Sequence, residues 1–450
     1  MKTLILGAGP TGLGAAYRLA KSCHTDWFLF ERNDYVGGLS ASFIDDYGFT
    51  WDVGGHVLFS HYDYFDRVVA EALGESYYEH LRESWVRILQ TWVPYPFQNN
   101  VRYLPDDVLQ ECVDGLRNLS GNPHDSSNFR DWMDSVFGSG IVKYFMEPYN
   151  CKVWGVPLKT MGKGWLGERV SVVDLNRIEK NIAEQNDDVN WGPNNRFKFP
   201  KTGGTGAIFE GIARPFRAQI EFGYDLAIVD VVERVVTFSN GRKERYEVLI
   251  NTTPLDRFIG KCVLAPDAVR KAAADLVHNC GLIVGLGFNG MRNDSKCWMY
   301  FPESNCPFYR ITNFHNYSPF NVPAGDTNQY FSLMCETTYS FHKPVEKDKI
   351  IEDTIQGLMD SGMITEHERD RIVSRYLIDI PYSYPVPTLM RDEALLVIQQ
   401  FLEANGIYSR GRFGAWKYEV GNMDHSFMQG VEVVDRIMTG APELTFNVSL

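Results

Sequence analysis

Three stretches combine residue types that do chemistry with a spacing that could hold them. The first is Gly7-Ala-Gly9-Pro10-Thr11-Gly12, set between an apolar run at Thr3–Leu6 and helical spacing over Gly12–Lys21. Glycines at these intervals let the chain turn sharply and lay backbone N–H groups against a pyrophosphate at the start of a helix. A second apolar run, Trp27–Glu31, ends in an acid placed to take ribose hydroxyls. A ligand-free glycine turn leaves Glu31 unexplained, so the pattern reads as a dinucleotide site. The second stretch, Glu31-Arg32-Asn-Asp-Tyr-Val-Gly37-Gly38-Leu39, adds another glycine pair that can approach the phosphates and an arginine that adds charge. The third is Trp51-Asp-Val-Gly54-Gly55-His56-Val-Leu-Phe-Ser-His61-Tyr62. Its histidines admit metal ligation, acid–base chemistry or packing. A five-residue interval does not bring them together on a strand, and no carboxylate or cysteine cluster accompanies them, so no metal is expected.

The elements that must position these residues follow from periodicity. Strand, helix and strand at Thr3–Leu6, Gly12–Lys21 and Trp27–Glu31 make a β-α-β opening. From about Tyr64 to Asp188 the pattern is mostly helical, with amphipathic segments at Asp106–Arg117 and Phe129–Tyr144, interrupted by strand character over Trp85–Asn100. Gly192–Gly206 reads as a loop. Ile220–Val231, Val235–Phe238 and Glu247–Thr252 read as strands, with Asn240-Gly241 as a hairpin turn. Gly281–Phe288, Cys297–Phe301, Phe308–Phe314 and Tyr330–Thr337 suggest a larger antiparallel sheet. Lys347–Ser361, Thr365–Arg375 and the closing Ser426–Met438 read as helices.

Composition narrows the classes. The chain has 450 residues and 44% hydrophobic content, enough for two or three domains with real cores. A net charge of −13 excludes a general basic face for nucleic acid, so an anionic ligand must be met by a local arginine cluster. The eight cysteines show no C-x-x-C spacing, which points to reduced thiols. No apolar run approaches a membrane span. The expected compartment is cytoplasmic.

The acid followed by a second glycine pair resembles the adenine-dinucleotide signature of flavoproteins of the amine-oxidase and glutathione-reductase type. That resemblance implies FAD. The stretch Gly411-Arg412-Phe-Gly-Ala-Trp-Lys-Tyr418-Glu-Val-Gly-Asn422-Met423-Asp-His-Ser426 leads into the last helix, whose first amides can face a flavin pyrimidine ring. More broadly, GAGPTGLGAA, DVGGHVLFSHYDYF, WVPYPFQNN, EPYNCKVWGVP, WLGERV, NWGPN, CWMYFPESNCPFYR, NYSPFN, YPVPTL and SRGRFGAWKYEVGNMDHSF occur in this order. Together they resemble the UDP-galactopyranose mutases of eukaryotic type over essentially the whole chain.

The resemblance implies an α/β fold: a Rossmann-like FAD-binding domain with a helical domain and a mainly antiparallel β-sheet domain. The FAD-binding domain is expected over 1–80, 200–265 and 405–450. The helical substrate and oligomerisation domain is expected over 101–195, and the sheet domain over 81–100 and 266–404. The implied activity is redox-neutral isomerisation of UDP-galactopyranose and UDP-galactofuranose, with reduced FAD as nucleophile on the anomeric carbon and NADPH or NADH as reductant. FAD contacts are implied at Gly7, Gly9, Pro10, Thr11, Gly12, Glu31, Arg32, Gly38, Leu39, Gly54, Gly55, His56, Gly411, Arg412, Asn422, Met423 and Ser426. Arg169 and Arg310 match the family's diphosphate arginines, a role that suits the planar guanidinium fork. Tyr300, Tyr317, Tyr384 and Tyr418 match tyrosines around the diphosphate. Tyr95, Phe97 and Gln98 match a uracil pocket, and Asn150, Trp154 and Asn194 match further residues of the nucleotide-sugar site. His56, Arg169 and Arg310 are the expected catalytic residues, with His56 on a loop against the flavin ring.

Met423 stands where fungal members have glutamine, Lys417 replaces an arginine, and Phe320 replaces a tyrosine. These departures leave a second substrate, such as UDP-arabinopyranose, as the alternative for the sugar. A flavin oxidoreductase of the amine-oxidase type and a non-catalytic nucleotide-binding protein are the competing classes. The nicotinamide coenzyme is expected to share the substrate cleft, because no separate fingerprint is present for it.

Overall fold

A five-stranded parallel sheet forms the base of the molecule, in the order Ile407–Ser409, Val248–Asn251, Thr3–Leu6, Trp27–Glu31, Ile220–Phe222. It belongs to a computed structural model that describes residues 1–22, 24–120, 122–189 and 195–447. The three central strands are buried almost throughout on both faces, as in parallel sheets generally, and the two edge strands are partly buried. Ile5, Leu29 and Ile250 pack under the helices Pro10–Lys21 and Met423–Thr439, while Leu4, Leu6, Phe30 and Leu249 face a second core with Leu395 and Leu402. The two covering helices touch through glycines. A Cβ on Gly14 would stand 2.2 Å from the Phe427 carbonyl oxygen, and one on Gly430 would stand 2.0 Å from that of Thr11. This close crossing draws the end of the chain onto its beginning.

A seven-stranded sheet stands beside this base, in the order Ile372–Pro385, His278–Asn289, Tyr330–Tyr339, Arg310–Asn313, Trp298–Tyr300, Ser84–Ile88, Thr91–Pro94. It is antiparallel except where Trp298–Tyr300 runs parallel to Ser84–Ile88. A helical layer over Asp106–Arg117, Phe129–Ile141 and Glu147–Trp154 packs on its far end around Phe97, Phe137 and Phe145. The Rossmann-like base, helical layer and mainly antiparallel sheet are the expected fold class. Among the described residues, no helix is long and apolar enough to cross a membrane.

Several local expectations are corrected. Within the expected loop, Arg196–Pro200 is a strand paired with Tyr77–Leu81, which lies in the stretch read as helical. Ile220–Val231 is two strands in different sheets, parted where Gly223 takes φ +78°. Only Glu366–Arg369 of the expected helix over Thr365–Arg375 is helical, closed by a capping box from Thr365 and Glu368. The chain then enters the strand Ile372–Pro385, which carries prolines because it lies at the sheet edge. The segment Phe129–Tyr144 breaks at Gly138, φ +68°, and continues through a π turn over Val142–Met146.

Candidate active site

The glycine motifs fold onto each other before any ligand is considered. Gly7 takes φ +98° at the end of the first strand. Gly12 packs so closely that a Cβ would stand 1.9 Å from the Gly7 carbonyl oxygen, so its role is tight packing of helix on strand. The second glycine pair lies on the first: Gly37 N–H donates to the Ala8 carbonyl at 2.8 Å, and a Cβ on Gly38 would reach the Gly9 Cα at 3.2 Å. A Cβ on Gly9 would meet nothing within 4 Å, although Gly9 lines the cleft. That open cradle of backbone fits a pyrophosphate. Glu31 is buried and accepts the N–H of Ala8 at 2.7 Å and of Asn33 at 2.9 Å, which fixes the carboxylate at the cleft wall.

The cleft holds about 1280 Å³ and runs from these glycines to the sheet of seven strands. Pro10, Thr11, Arg32, Leu39, Gly54, Gly55, His56, Asn422, Met423 and Ser426 share its wall with Gly7, Gly9, Glu31 and Gly38. The helix Met423–Thr439 starts there. Asn422 occupies its N-cap position but makes no side-chain cap, and its Oδ1 instead accepts from Arg169 Nη1 at 2.9 Å. Gly411 stands behind the wall, bonded through its N–H to Gln429 Oε1 at 2.8 Å.

At the far end the arginines converge. Arg310 binds Glu336 bidentately, at 2.6 and 2.8 Å. Glu336 also accepts the Gly55 N–H at 3.1 Å and the Tyr309 hydroxyl at 2.9 Å. Burial opposes its charge, but Arg310 and these donors prevail and hold it below the usual carboxylate range. Arg169 donates to the Glu419 carbonyl at 2.7 Å and lies over the Tyr418 ring at 5.0 Å. Arg412 donates to the carbonyls of Gly421, at 2.8 Å, and Ser383, at 3.2 Å. Among the described residues, Arg169 and Arg412 therefore bond only to neutral oxygens. In a chain of net charge −13 this end is a local cationic site.

His56 is partly buried at the cleft wall, and its Nδ1 is enclosed and without a hydrogen-bond partner. Burial, followed by the charge of Arg412, lowers its pKa to about 4, so the imidazole is neutral near pH 7. Trp298 Nε1 and Thr312 Oγ1 are likewise enclosed and unpartnered, and both lie within about 3 Å of where a Gly55 Cβ would stand. Enclosed polar atoms facing a cleft are fit for a ligand or a shifted loop.

The nucleotide-sugar residues divide into two groups. Tyr95, Tyr300, Tyr384 and Tyr418 line the cleft with Arg169 and Arg310, and the Tyr95 and Tyr300 rings stand 4.9 Å apart. Phe97 is buried against Phe145 at 4.6 Å, and Gln98 donates to the Ser171 carbonyl at 2.7 Å with its own Oε1 unpartnered. Asn150 accepts from Trp154 Nε1 at 3.3 Å, and the Trp154 ring supports Tyr418 edge-on at 4.9 Å. Tyr317 is not brought to the cleft wall; it is enclosed among Phe197, Phe199 and Phe314. Asn194 lies outside the described residues.

Two features escaped the sequence reading. Glu336 lies in the segment Tyr330–Thr337, read only as a strand, although an acid inside an apolar strand signals a buried carboxylate that needs a cation. The expectation that no carboxylate accompanies His61 is also corrected. Asp424 stands 2.7 Å from its Nδ1, with His425 on the other side, because the C-terminal helix crosses beneath the loop. His56 is not part of that cluster.

Comparison with known proteins agrees with this geometry. Residues 5–72 match the model of an NAD(P)-binding Rossmann-like domain. A 4,4'-diapophytoene desaturase of Staphylococcus aureus (strain COL) is 30% identical over 200 residues, 41% of this chain. The chain spans 37% of the length of that curated relative. A putative protoporphyrinogen oxidase from Exiguobacterium sp. 255-15 shares the fold at TM-score 0.73 with 15% identity, covering 97% of this chain and 98% of the other. The crystal structure of a reduced UDP-galactopyranose mutase superposes with TM-score 0.95 and 43% identity, covering 99% of this chain and 95% of the other. On this whole-length match, the chain belongs to the UDP-galactopyranose mutase family.

Proposed function

We propose that this protein interconverts UDP-galactopyranose and UDP-galactofuranose without net redox change, on FAD held reduced by NADPH or NADH. One observation carries the reading: an open glycine cradle at one end of a single cleft and a cationic, tyrosine-lined site at the other. The cradle of Gly7, Gly9 and Gly38, the wall of Glu31 and Arg32, and the first turn of the last helix would hold the flavin. Reduced FAD, when bound, supplies the nucleophile for the anomeric carbon. The protein's own task is to bind the diphosphate and stabilise the charge that grows on it as the glycosyl bond breaks. Arg169 and Arg412 suit that task because no carboxylate among the described residues shares their charge. Arg310 is held in a fixed orientation by Glu336, so its remaining N–H groups can be aimed without rearrangement. Burial raises the pKa of Tyr300 and Tyr384, so both hydroxyls stay protonated and can donate to phosphate oxygens. Neutral His56 offers a hydrogen bond without placing another cation beside the arginines.

The test is direct. Dithionite-reduced protein incubated with UDP-galactofuranose should yield UDP-galactopyranose on chromatography. Absence of that product, or faster conversion of UDP-arabinopyranose, overturns the assignment of the sugar. For the reductant, the cleft is the shared site in this reading, so UDP should compete with NADPH in steady-state reduction of the flavin. Independent binding of the two would separate their sites. The seven described cysteines are free thiols, which supports a reducing, cytoplasmic compartment.

A further inference from the structure

At the rim of the cleft, His61, Asp424 and His425 each offer a ligand atom within 4.8 Å of the others. Asp424 is almost fully enclosed, and its two oxygens face different imidazoles: Oδ2 is 2.7 Å from His61 Nδ1, and Oδ1 is 3.0 Å from His425 Nδ1. Oδ2 also accepts the His61 backbone N–H at 3.1 Å. The His61 and His425 rings stand 4.9 Å apart. Phe59 meets the His61 ring edge-on at 5.4 Å, and Tyr62 meets the His425 ring edge-on at 5.6 Å. The Tyr62 hydroxyl is anchored to Thr445 Oγ1 at 2.9 Å. Neither the glycine cradle nor the arginine site uses these three side chains.

We propose that His61, Asp424 and His425 form a binding site for a divalent ion of the zinc class. Two imidazole nitrogens and one carboxylate are the donor set such ions prefer, whereas calcium and magnesium need more oxygens than this corner provides. Neighbouring ligand atoms around a tetrahedral zinc stand about 3.3 Å apart, given Zn–N and Zn–O bonds of about 2.0–2.2 Å. The observed 2.7 and 3.0 Å are hydrogen-bond distances to the two carboxylate oxygens, so an ion displacing the shared protons spreads these contacts slightly and draws ligand atoms as much as 4.8 Å apart closer together. All three residues line the cleft, so a further coordination position opens toward solvent or a bound ligand. The positive end of the helix Met423–Thr439 opposes a cation, and the Asp424 charge offsets it. His61 lies on the segment that carries Gly54, Gly55 and His56, and His425 lies on the helix whose first turn faces the cleft. A bound ion cross-links the two.

The test uses the purified full chain dialysed against zinc chloride, with bound metal measured by atomic emission. One zinc per chain is expected, with affinity at least about tenfold weaker in His61→Gln and in His425→Gln. Cobalt titrated into the wild-type protein should give the intense visible bands of a tetrahedral site, and magnesium should not compete. Failure of the wild-type protein to retain stoichiometric zinc overturns the proposal, as does undiminished zinc affinity in both variants. Thermal melting reports whether each variant is folded, and should neither fold, the wild-type stoichiometry and cobalt spectrum decide.

Discussion

Glu336 is the residue through which the parts of the site touch. Its carboxylate is nearly inaccessible and joins Arg310, the Tyr309 hydroxyl and the Gly55 N–H. In Glu336→Gln the shape persists but the charge opposite Arg310 is lost, leaving a cation without its counter-charge in an enclosed site. Breaking such a pair costs about 3 kcal/mol or more of stability. Arg310 also loses its fixed aim, and misplacement of a positioned group lowers kcat by about ten- to a hundredfold. Urea unfolding and a product assay on the FAD-loaded variant would show both effects, and wild-type kcat would refute the positioning role. His56 gives a contrasting expectation. Its ring makes no side-chain hydrogen bond through Nδ1, so His56→Ala should keep FAD and fold while losing most turnover. A variant with near-normal turnover reduces His56 to packing.

At the scale of elements, the first loop separates two uses of glycine that look alike in sequence. A methyl group at Gly9 enters open cleft, whereas one at Gly12 collides with the Gly7 carbonyl. Gly9→Ala should therefore fold with near wild-type stability and lose flavin, seen as a colourless protein with an unchanged circular dichroism spectrum. Gly12→Ala should lose about 1–3 kcal/mol or more of stability, because overpacking there moves helix against strand. Equal flavin retention in both variants would contradict the cradle assignment. The motif itself, the β-α-β unit around it and the ends of the first two strands were legible because they depend on local spacing. The strand Ile372–Pro385 was not, since its prolines and alternating charges suit an edge whose position depends on a partner about a hundred residues away. Glu336 and Asp424 were missed for the same reason: their partners come from other elements, across 281 and 363 residues. Tyr317 shows the reverse limit. A matched motif located the residue, but the described conformation encloses it in an aromatic core rather than at the cleft.

At the scale of the whole molecule, enclosed titratable groups pull stability in opposite directions with pH. Burial outweighs the hydrogen bonds from Ser42 and Thr205 and raises Asp52 to about pKa 7. An unfolded aspartate titrates near about 3.9, so between these values the folded chain holds a proton that the unfolded chain has released. Asp52 therefore makes stability fall as pH rises through that window. His56 and His315 are both lowered to about 4, chiefly by burial. An unfolded histidine titrates near about 6.5, so below that pH the unfolded chain holds protons that these two reject until about pH 4. They make stability rise with pH from about 4 to 6.5, and this opposes Asp52 over most of its window. Asp52→Asn removes only the falling contribution. The stability of the variant relative to wild type should then improve by about 3 kcal/mol between about pH 5 and pH 7.5, and stay constant above that range. Urea unfolding of both proteins at the two pH values measures the difference. A gap between variant and wild type that does not change with pH would mean that Asp52 is ionised in the folded protein, with Ser42 and Thr205 supplying enough donors to hold the charge.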